Sequence, residues 1–476
     1  MSQIADREIT GLTADSRLVR PGYLFAALPS STTDGLLNGA DFVPDAVQRG
    51  AVAVLGPLGL MAHIKTSPSV SVIEDVEPRR RLSLLAARFF GAQPRTVAAV
   101  TGTSGKSSIV DFVRQIWAAL GRNGASLGTL GVVSGGSSGG LQRKLAHTTP
   151  DPVVLHQALA ELAGSGVDHL ALEASSHGLE QQRLDGVKIT AAAFTNLSRD
   201  HLDYHRDEEA YLTAKLRLFR DVMAPGGTAL LPHESELSAR LTTVCRAQGH
   251  KIMAFGAGGD VDLVRVEMLA DGQHLTITAM GHRADFELPL IGAFQAENVL
   301  CAIALVLACG ETPEAVLAAA ANLTGVPGRL QSIGGGVYVD YAHKPEALRA
   351  AIGALRPHTK GQLIVVFGCG GDRDRGKRPI MGRIATDLAD KVVVTDDNPR
   401  HEDPESIRAE ILTGCSDAIE IADRRAAIAT SIGWLTYGDM LLIAGKGHET
   451  GQEIAGVTHP FDDVDAARAV LQGAGS

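Results

Sequence analysis

Residues 101–108 read Thr-Gly-Thr-Ser-Gly-Lys-Ser-Ser, and an apolar run, Val97-Ala98-Ala99-Val100, leads into them. Behind them Ile109, Val113, Ile116 and Leu120 recur at helical spacing, with Trp117 on the flank. Strand, Gly-rich turn and helix in that order commit this stretch to a parallel α/β layer. The same turn suits a phosphate group. Gly102 and Gly105 let the backbone curl so that N–H groups point inward, and the helix start adds partial positive charge. Lys106 adds a full charge, and the Ser107 hydroxyl is a ligand for Mg²⁺. Val100 stands where the usual eight-residue phosphate loop has its first Gly, so the shorter Gly-x-x-Gly-Lys-Ser form is the one that fits. A nucleoside triphosphate is the expected ligand. The loop alone fits a kinase, another NTPase or a non-catalytic nucleotide-binding scaffold equally well.

The chain has 476 residues, enough for three domains of about 150 each. A net charge of −10 argues against a general nucleic-acid binder, which needs a basic face. Cys245, Cys301, Cys309, Cys369 and Cys415 show no CxxC or CxxH pairing and read as thiols in a reducing compartment. The start, MSQIADREIT, has neither the basic nor the apolar part of a signal peptide. The longest apolar run, Val299 to Cys309, falls short of the ~20 residues that span a bilayer. The expectation is a cytoplasmic monomer with no membrane insertion and no nucleic-acid partner.

Three blocks are visible. Residues 1–95 hold short apolar segments (22–28, 51–55) and a helical pattern from Arg79 to Phe90. Residues 96–326 add strand candidates at 168–173, 189–195 and 227–231. Residues 327–476 restart the rhythm with strands at 337–340, 363–367, 391–395 and 440–444 and helices at 379–388, 404–412 and 424–434. The expected architecture is α/β: a small N-terminal domain, a central parallel-sheet ATPase domain and a C-terminal Rossmann-like domain. Ligands gather at the C-terminal ends of parallel strands, so the third-block loops 340–345, 368–375, 396–400 and 445–449 are expected on one edge.

Two further stretches carry chemistry. Glu173 ends a strand candidate, where a carboxylate suits Mg²⁺. Asp200, His201, Asp203 and His205 crowd six positions, a pattern open to a transition metal, to Mg²⁺ or to substrate. Lys215, on a helical segment (211–219), reads by itself as an ordinary solvated or ion-paired lysine.

Taken together, the chain resembles the Mur ligases, ATP-dependent amino-acid ligases of peptidoglycan synthesis, and among them the tripeptide-forming branch. The resemblance rests on Asp15-Ser-Arg17 with Pro21-Gly22, the phosphate loop, Thr148-Thr149-Pro150, 173–179, 194–205, 211–219, Asn298, Arg329, 340–345, 369–379, 397–400 and 445–449. It implies ATP held by Gly102, Thr103, Ser104, Gly105, Lys106, Ser107, Ser108, Asn298, Arg329 and Asp340. It implies Mg²⁺ on Ser107, Glu173, His201 and Lys215, with Lys215 carbamylated (N6-carboxylysine). A carbamate turns that cation into an oxygen donor. Lys106, Lys215, His201 and His343 are the implied catalytic residues. Ala14, Ser16, Ser31, Thr32 and Thr33 would approach the UDP part of the substrate UDP-MurNAc-L-Ala-D-Glu, although Ser31-Thr32-Thr33 also reads as a plain polar turn. Thr148, Thr149, Ser175, Gln181 and Arg183 would approach its sugar-peptide part. Ser104 and Ser107 replace the family's commoner Asn and Thr, Gln295 replaces a frequent Asn, and Arg206 a frequent Gly.

Arg373, Asp397, Asn398, Pro399, Arg400, Gly445 and Glu449 are the implied amino-acid pocket. Asp397 to Arg400 resembles the motif of members that add meso-diaminopimelate. That amino acid and L-lysine differ by a distal carboxylate, which Arg400 suits and lysine lacks. The implied reaction activates the D-glutamyl γ-carboxylate as an acyl phosphate, which the amine then attacks. The nearest alternatives are a sister ligase and a folylpolyglutamate synthase.

Overall fold

The computed structural model describes residues 8–29, 38–64, 69–135, 142–198, 200–201, 204–233, 235–269 and 271–473. The chain forms two compact units, 1–262 with 301–316 and 263–300 with 317–476.

In the first unit, Gly11–Thr13, Tyr23–Ala26, Ala53–Pro57 and Ser71–Asp75 pair side by side as a parallel sheet. Side chains alternate across it. Phe25 and Val54 face one core with Val43 and Leu60, while Leu24, Ala53 and Leu55 face another with Leu82 and Ala86 of the helix Pro78–Phe90. A second sheet runs Lys251–Phe255, Thr228–Pro232, Ala191–Phe194, Thr96–Thr101, His169–Glu173 and Gly124–Gly128, all parallel. Gly131–Ser134 and Gln142–Arg143 extend it antiparallel. Its central strands are apolar without alternation (TVAAVT, AAAF) because both faces are covered.

The second unit contains the hairpin Gly272–Ala279 with His282–Leu288 and a six-stranded sheet. In that sheet Val337–Asp340, Met440–Ala444, Leu363–Phe367 and Lys391–Val394 are parallel neighbours, so the loops that follow them share one edge, as expected from the sequence. Helices Pro345–Leu355, Lys377–Leu388 and Pro404–Leu412 cover one face, and Arg424–Gly433 and Asp463–Gly473 the other. This is a doubly wound α/β layer.

Between the last two helices lies a fully buried ion pair. Arg424 Nε and Nη2 each donate to the Asp463 carboxylate at 2.7 Å, and both side chains are 0% exposed. Arg424 also donates to the carbonyls of Ala444 (3.0 Å), the last residue of one strand, and Asp396 (3.4 Å), two residues past the end of another. Asp463→Ala strands a buried guanidinium and is expected to destabilise this unit by about 3–5 kcal/mol. Chemical denaturation of the variant checks this, and a loss under about 1 kcal/mol refutes it.

The ends of the elements match the sequence reading within a few residues. Among the described residues no helix is long and apolar enough to cross a membrane. All five cysteines are free, with Cys309 half-buried and the others buried. Burial pushes Cys245 up to about 11 and Cys369 up to about 12.

Candidate active site

In the first unit the strand Thr96–Thr101 hands over to the helix Lys106–Ala119 through residues 102–105. Its parallel neighbours Ala191–Phe194 and His169–Glu173 end on the same edge. Gly102 holds φ 141°, and a Cβ built there would lie 1.9 Å from Thr195 Oγ1, so only glycine fits. Gly105 caps the helix with φ 87°. The segment after Phe194 clamps the loop. Thr195 Oγ1 donates to the Ser104 carbonyl (2.8 Å), and Ser104 N donates to Asn196 Oδ1 (2.9 Å). Thr103 N donates to the Asn196 carbonyl (2.9 Å).

Lys106 Nζ donates to the carbonyls of Gly102 (2.9 Å) and Thr103 (2.8 Å). Lys215 is buried in the last turn of Glu208–Arg217, just before the π-turn Leu218–Val222, a feature frequent at functional sites. Its Nζ donates to the same Gly102 carbonyl at 2.7 Å and lies 4.2 Å from the Tyr211 ring centroid. Both amines thus meet on the Gly102 carbonyl, and the helix N-terminus with the Lys106 charge favours a phosphate group beside them. Ser107 and Ser108 are buried at the helix start.

Glu173 is 2% exposed, and its carboxylate accepts from Thr129 N (2.7 Å) and Thr129 Oγ1 (3.2 Å). Strand register places it beside Val100, one residue before the phosphate loop. A Cβ at Gly128 would come within 2.2 Å of Glu173 Oε1, so the carboxylate is closely cradled. His201 has left-handed backbone, φ 53°, a strain that collects at functional positions. Its ring lies 4.8 Å from that of His177 and 6.1 Å from that of Tyr211. Asp200 is 3.4 Å from His201 Nε2, and His205 Nδ1 is 3.1 Å from Glu180, so these two turn to protein partners. Asp203 lies outside the described residues. Among the described residues no three His, Cys, Asp or Glu side chains converge as a metal site. Glu173 and His201 are suitable Mg²⁺ ligands but need another oxygen donor, which the Lys215 carbamate would supply. By donor chemistry alone that set suits the ion.

The residues expected near the sugar-peptide part gather behind Glu173. Thr149 Oγ1 donates to the Glu173 carbonyl (2.8 Å) and accepts from Ser175 N (3.0 Å), and Ser175 Oγ caps the helix Ser176–Glu180. Both side chains are therefore also structural. Thr148 Oγ1 is 3.0 Å from Thr129 Oγ1. Gln181 Nε2 donates to Tyr204 Oη (3.0 Å), and its Oε1 accepts from Arg183 Nη2 (2.6 Å). Ala14 and the buried Ser16 flank Asp15, which pairs with Arg17 at 2.6 Å. Ser31, Thr32 and Thr33 lie outside the described residues.

In the second unit Asn298 Nδ2 donates to Gln295 Oε1 (3.1 Å) on one helix face. Arg329 stacks over Tyr341, 4.9 Å to the ring centroid. Asp340 Oδ2 accepts from Leu330 N (2.7 Å); burial pushes its carboxyl up to about 6, against the pull of Arg329. Burial, then the charge of Lys344, lowers His343 to about 4, so at neutral pH the imidazole is uncharged. His343 Nδ1 sits 2.7 Å from the Tyr341 carbonyl, and its own carbonyl accepts from Lys377 Nζ at 2.7 Å.

The loops after Lys391–Val394 and Met440–Ala444 form one cluster. Asn398 Nδ2 donates to Glu449 Oε2 (2.8 Å), while its Oδ1 accepts from the buried Lys446 (2.9 Å) and from Glu453 N (3.0 Å). Asp397 Oδ1 accepts from Asn398 N (2.7 Å); its Oδ2 is buried with no hydrogen-bond partner. A Cβ at Gly445 would stand 2.5 Å from that oxygen, so only glycine leaves room beside the carboxylate. Arg400, again left-handed (φ 53°), donates from Nη1 to the Gly371 carbonyl (2.8 Å) and meets Glu453 at 3.3 Å. Arg373 is exposed; Gly370 lies between it and Arg400. Pro399 is buried in the same turn.

The chain matches known proteins along nearly its whole length. The Mur ligase middle domain matches residues 100–306, and the Mur ligase, glutamate ligase domain matches residues 328–447. A UDP-N-acetylmuramoyl-L-alanyl-D-glutamate–2,6-diaminopimelate ligase of Bradyrhizobium diazoefficiens is 50% identical over 98% of this chain and 96% of its own. The chain belongs to the Mur ligase family. The Mesorhizobium japonicum protein of the same name is 49% identical over the same shares. A solved structure with that name is 35% identical, covers 98% of this chain and 95% of its own, and superposes with a TM-score of 0.70.

Several residues around this Mur ligase's loops escaped the sequence reading. Thr129 holds Glu173, and Arg424 holds the carbonyls of Ala444 and Asp396; Thr195 and Asn196 lie in the stretch 194–205 already singled out, but their hold on the phosphate loop was not foreseen. Their partners are backbone atoms or residues distant in sequence, so no local pattern announces them. Lys446 stands inside a motif already singled out, and its place between Asn398 and Glu449 appears only in three dimensions.

Proposed function

We propose that this chain is the ATP-dependent ligase that joins meso-diaminopimelate to the D-glutamyl γ-carboxylate of UDP-MurNAc-L-Ala-D-Glu. One observation carries the choice of amino acid. The unpartnered, buried Asp397 Oδ2 and the Arg400 guanidinium belong to one tight turn. Together they suit the ammonium and carboxylate at the far end of the meso-diaminopimelate side chain, where L-lysine has an ammonium alone. Glu449, held by Asn398, adds a second acceptor for the ammonium. L-Lysine has no distal carboxylate to draw Arg400 from Glu453 and would bring only its ammonium towards the guanidinium.

Lys106 and the N–H groups of residues 102–108 hold the γ-phosphate and take up the charge that develops as the γ-carboxylate oxygen attacks phosphorus and ADP departs. Asn298, Arg329 and Asp340 hold the rest of the nucleotide. The diaminopimelate amine then attacks the acyl-phosphate carbonyl, inorganic phosphate leaves and the nitrogen gives up a proton. Glu173, His201, Ser107 and the carbamate of Lys215 would hold Mg²⁺, which when bound supplies charge neutralisation at the phosphates. His343, uncharged, orients rather than neutralises. Ala14, Ser16 and Ser31 to Thr33 take the uridine end, and Thr148, Thr149, Ser175, Gln181 and Arg183 the sugar-peptide end. The enzyme works as a cytoplasmic monomer of three domains, 1–95, 96–326 and 327–476. In support of the first boundary, the N-terminal strands build a sheet and cores of their own.

Phosphate release with ATP and UDP-MurNAc-L-Ala-D-Glu tests this. Release is expected with meso-diaminopimelate, with at most about a hundredth of that efficiency for L-lysine. Equal release with either amine or none overturns the ligase reading, and release with lysine alone overturns the role of Arg400.

A further inference from the structure

Arg79 holds the second position of the helix Pro78–Phe90, and its Nη2 donates to the Pro29 carbonyl at 2.5 Å. The next residue, Arg80, pairs with Asp185 at 3.0 Å, and one turn along Ser83 Oγ donates to the Gln182 carbonyl at 2.5 Å. The helix is thus laid along the segment that carries Arg183. Arg183 donates to the Thr149 carbonyl (2.7 Å) and to the Gln181 amide oxygen (2.6 Å). Among the described residues, neutral oxygens are the only acceptors either guanidinium has.

Both side chains are partly withdrawn from water, and burial lowers both below the ordinary arginine value. Asp151 and Tyr204 pull the other way, but Asp151 Oδ1 already caps the helix Pro152–Gly164 by accepting from Val153 N (2.9 Å). Arg79 lowers Arg183 further, which places the two cations within electrostatic reach of each other. Partly desolvated cations without an ion-pair partner are costly unless an anion joins them.

We propose that Arg79 and Arg183 form one anion seat for the nucleotide-sugar substrate, which makes Arg79 a substrate-binding residue. The inference rests on the proposed function. The bound group is a phosphate or carboxylate oxygen pair, which the planar guanidinium fork matches. The pyrophosphate and the peptide carboxylates of the substrate both offer that chemistry.

Calorimetric titration of the full-length protein with UDP-MurNAc-L-Ala-D-Glu and with UDP, for wild type, R79A and R79K, tests it. R79A is expected to bind the nucleotide-sugar peptide about tenfold or more weakly, R79K to recover part of the loss, and KM for ATP to stay unchanged. A parallel loss for UDP assigns the seat to the pyrophosphate; a loss confined to the longer ligand assigns it to a carboxylate. R79A and R79K binding as tightly as wild type overturn the inference alone. Wild type failing to bind the nucleotide-sugar peptide overturns the proposed function and this inference with it. A KM for ATP that rises in step with the nucleotide-sugar loss marks a general folding defect and also overturns it.

Discussion

Gly102→Ala is expected to abolish ATP-dependent phosphate release, by at least about 1,000-fold in kcat/KM. The added carbon would lie 1.9 Å from Thr195 Oγ1, on a backbone at φ 141° that L-residues avoid. Relief requires either Thr195 or the 101–103 backbone to shift. Thr195 holds the Ser104 carbonyl, and the Gly102 carbonyl is the common acceptor of Lys106 and Lys215. Either shift disturbs the groups that meet the triphosphate, and misplacement of about 1 Å costs about 100-fold by itself. Denaturation of the second unit is expected to be unchanged, which separates a local lesion from a folding failure. A variant retaining a tenth of wild-type activity refutes the close fit at Gly102.

Lys215→Met is expected to lower kcat by about 1,000-fold, with part of the activity restored by millimolar formate or acetate. Methionine fills nearly the same buried volume, so packing is kept while the amine is lost. Unmodified, Lys215 sets a second cation on the carbonyl that Lys106 already uses. Carbamylation would convert that like-charge pair into an opposite-charge pair and would provide a further oxygen beside Glu173 and His201 in the proposed Mg²⁺ set. A small carboxylate entering the space replaces those oxygens. Recovery with formate but not with chloride supports the carbamate; no recovery in either, with labelled bicarbonate giving no carbamate signal in the wild type, overturns it.

The strands Val337–Asp340, Leu363–Phe367 and Met440–Ala444 were legible to the residue, because a strand covered on both faces reads as a nearly continuous apolar run. The shared edge of the loops that follow was legible too, since parallel pairing dictates it. The phosphate loop could be read from its glycines and lysine. What stayed hidden depends on partners far along the chain. Nothing near Thr129 predicts that it cradles Glu173, 44 residues away. The Arg79 and Arg183 pair needs the packing of one helix on a distant loop before its missing counter-ion can be noticed. Ser175 and Thr149 were singled out for substrate, yet their side chains also serve the backbone, a double duty that spacing does not reveal.

The Arg424–Asp463 pair reaches the carbonyls of Asp396 and Ala444, each next to a residue of the amino-acid pocket. Folding and amine recognition in this unit are therefore linked quantities. Saturating meso-diaminopimelate should raise the melting temperature of Asp463→Ala, and the affinity of that variant for the amine should fall in the same proportion as its folded population. A lesion in the last helix, distant in sequence from the turn 397–400, would then present in an assay as a loss of apparent affinity for the amine.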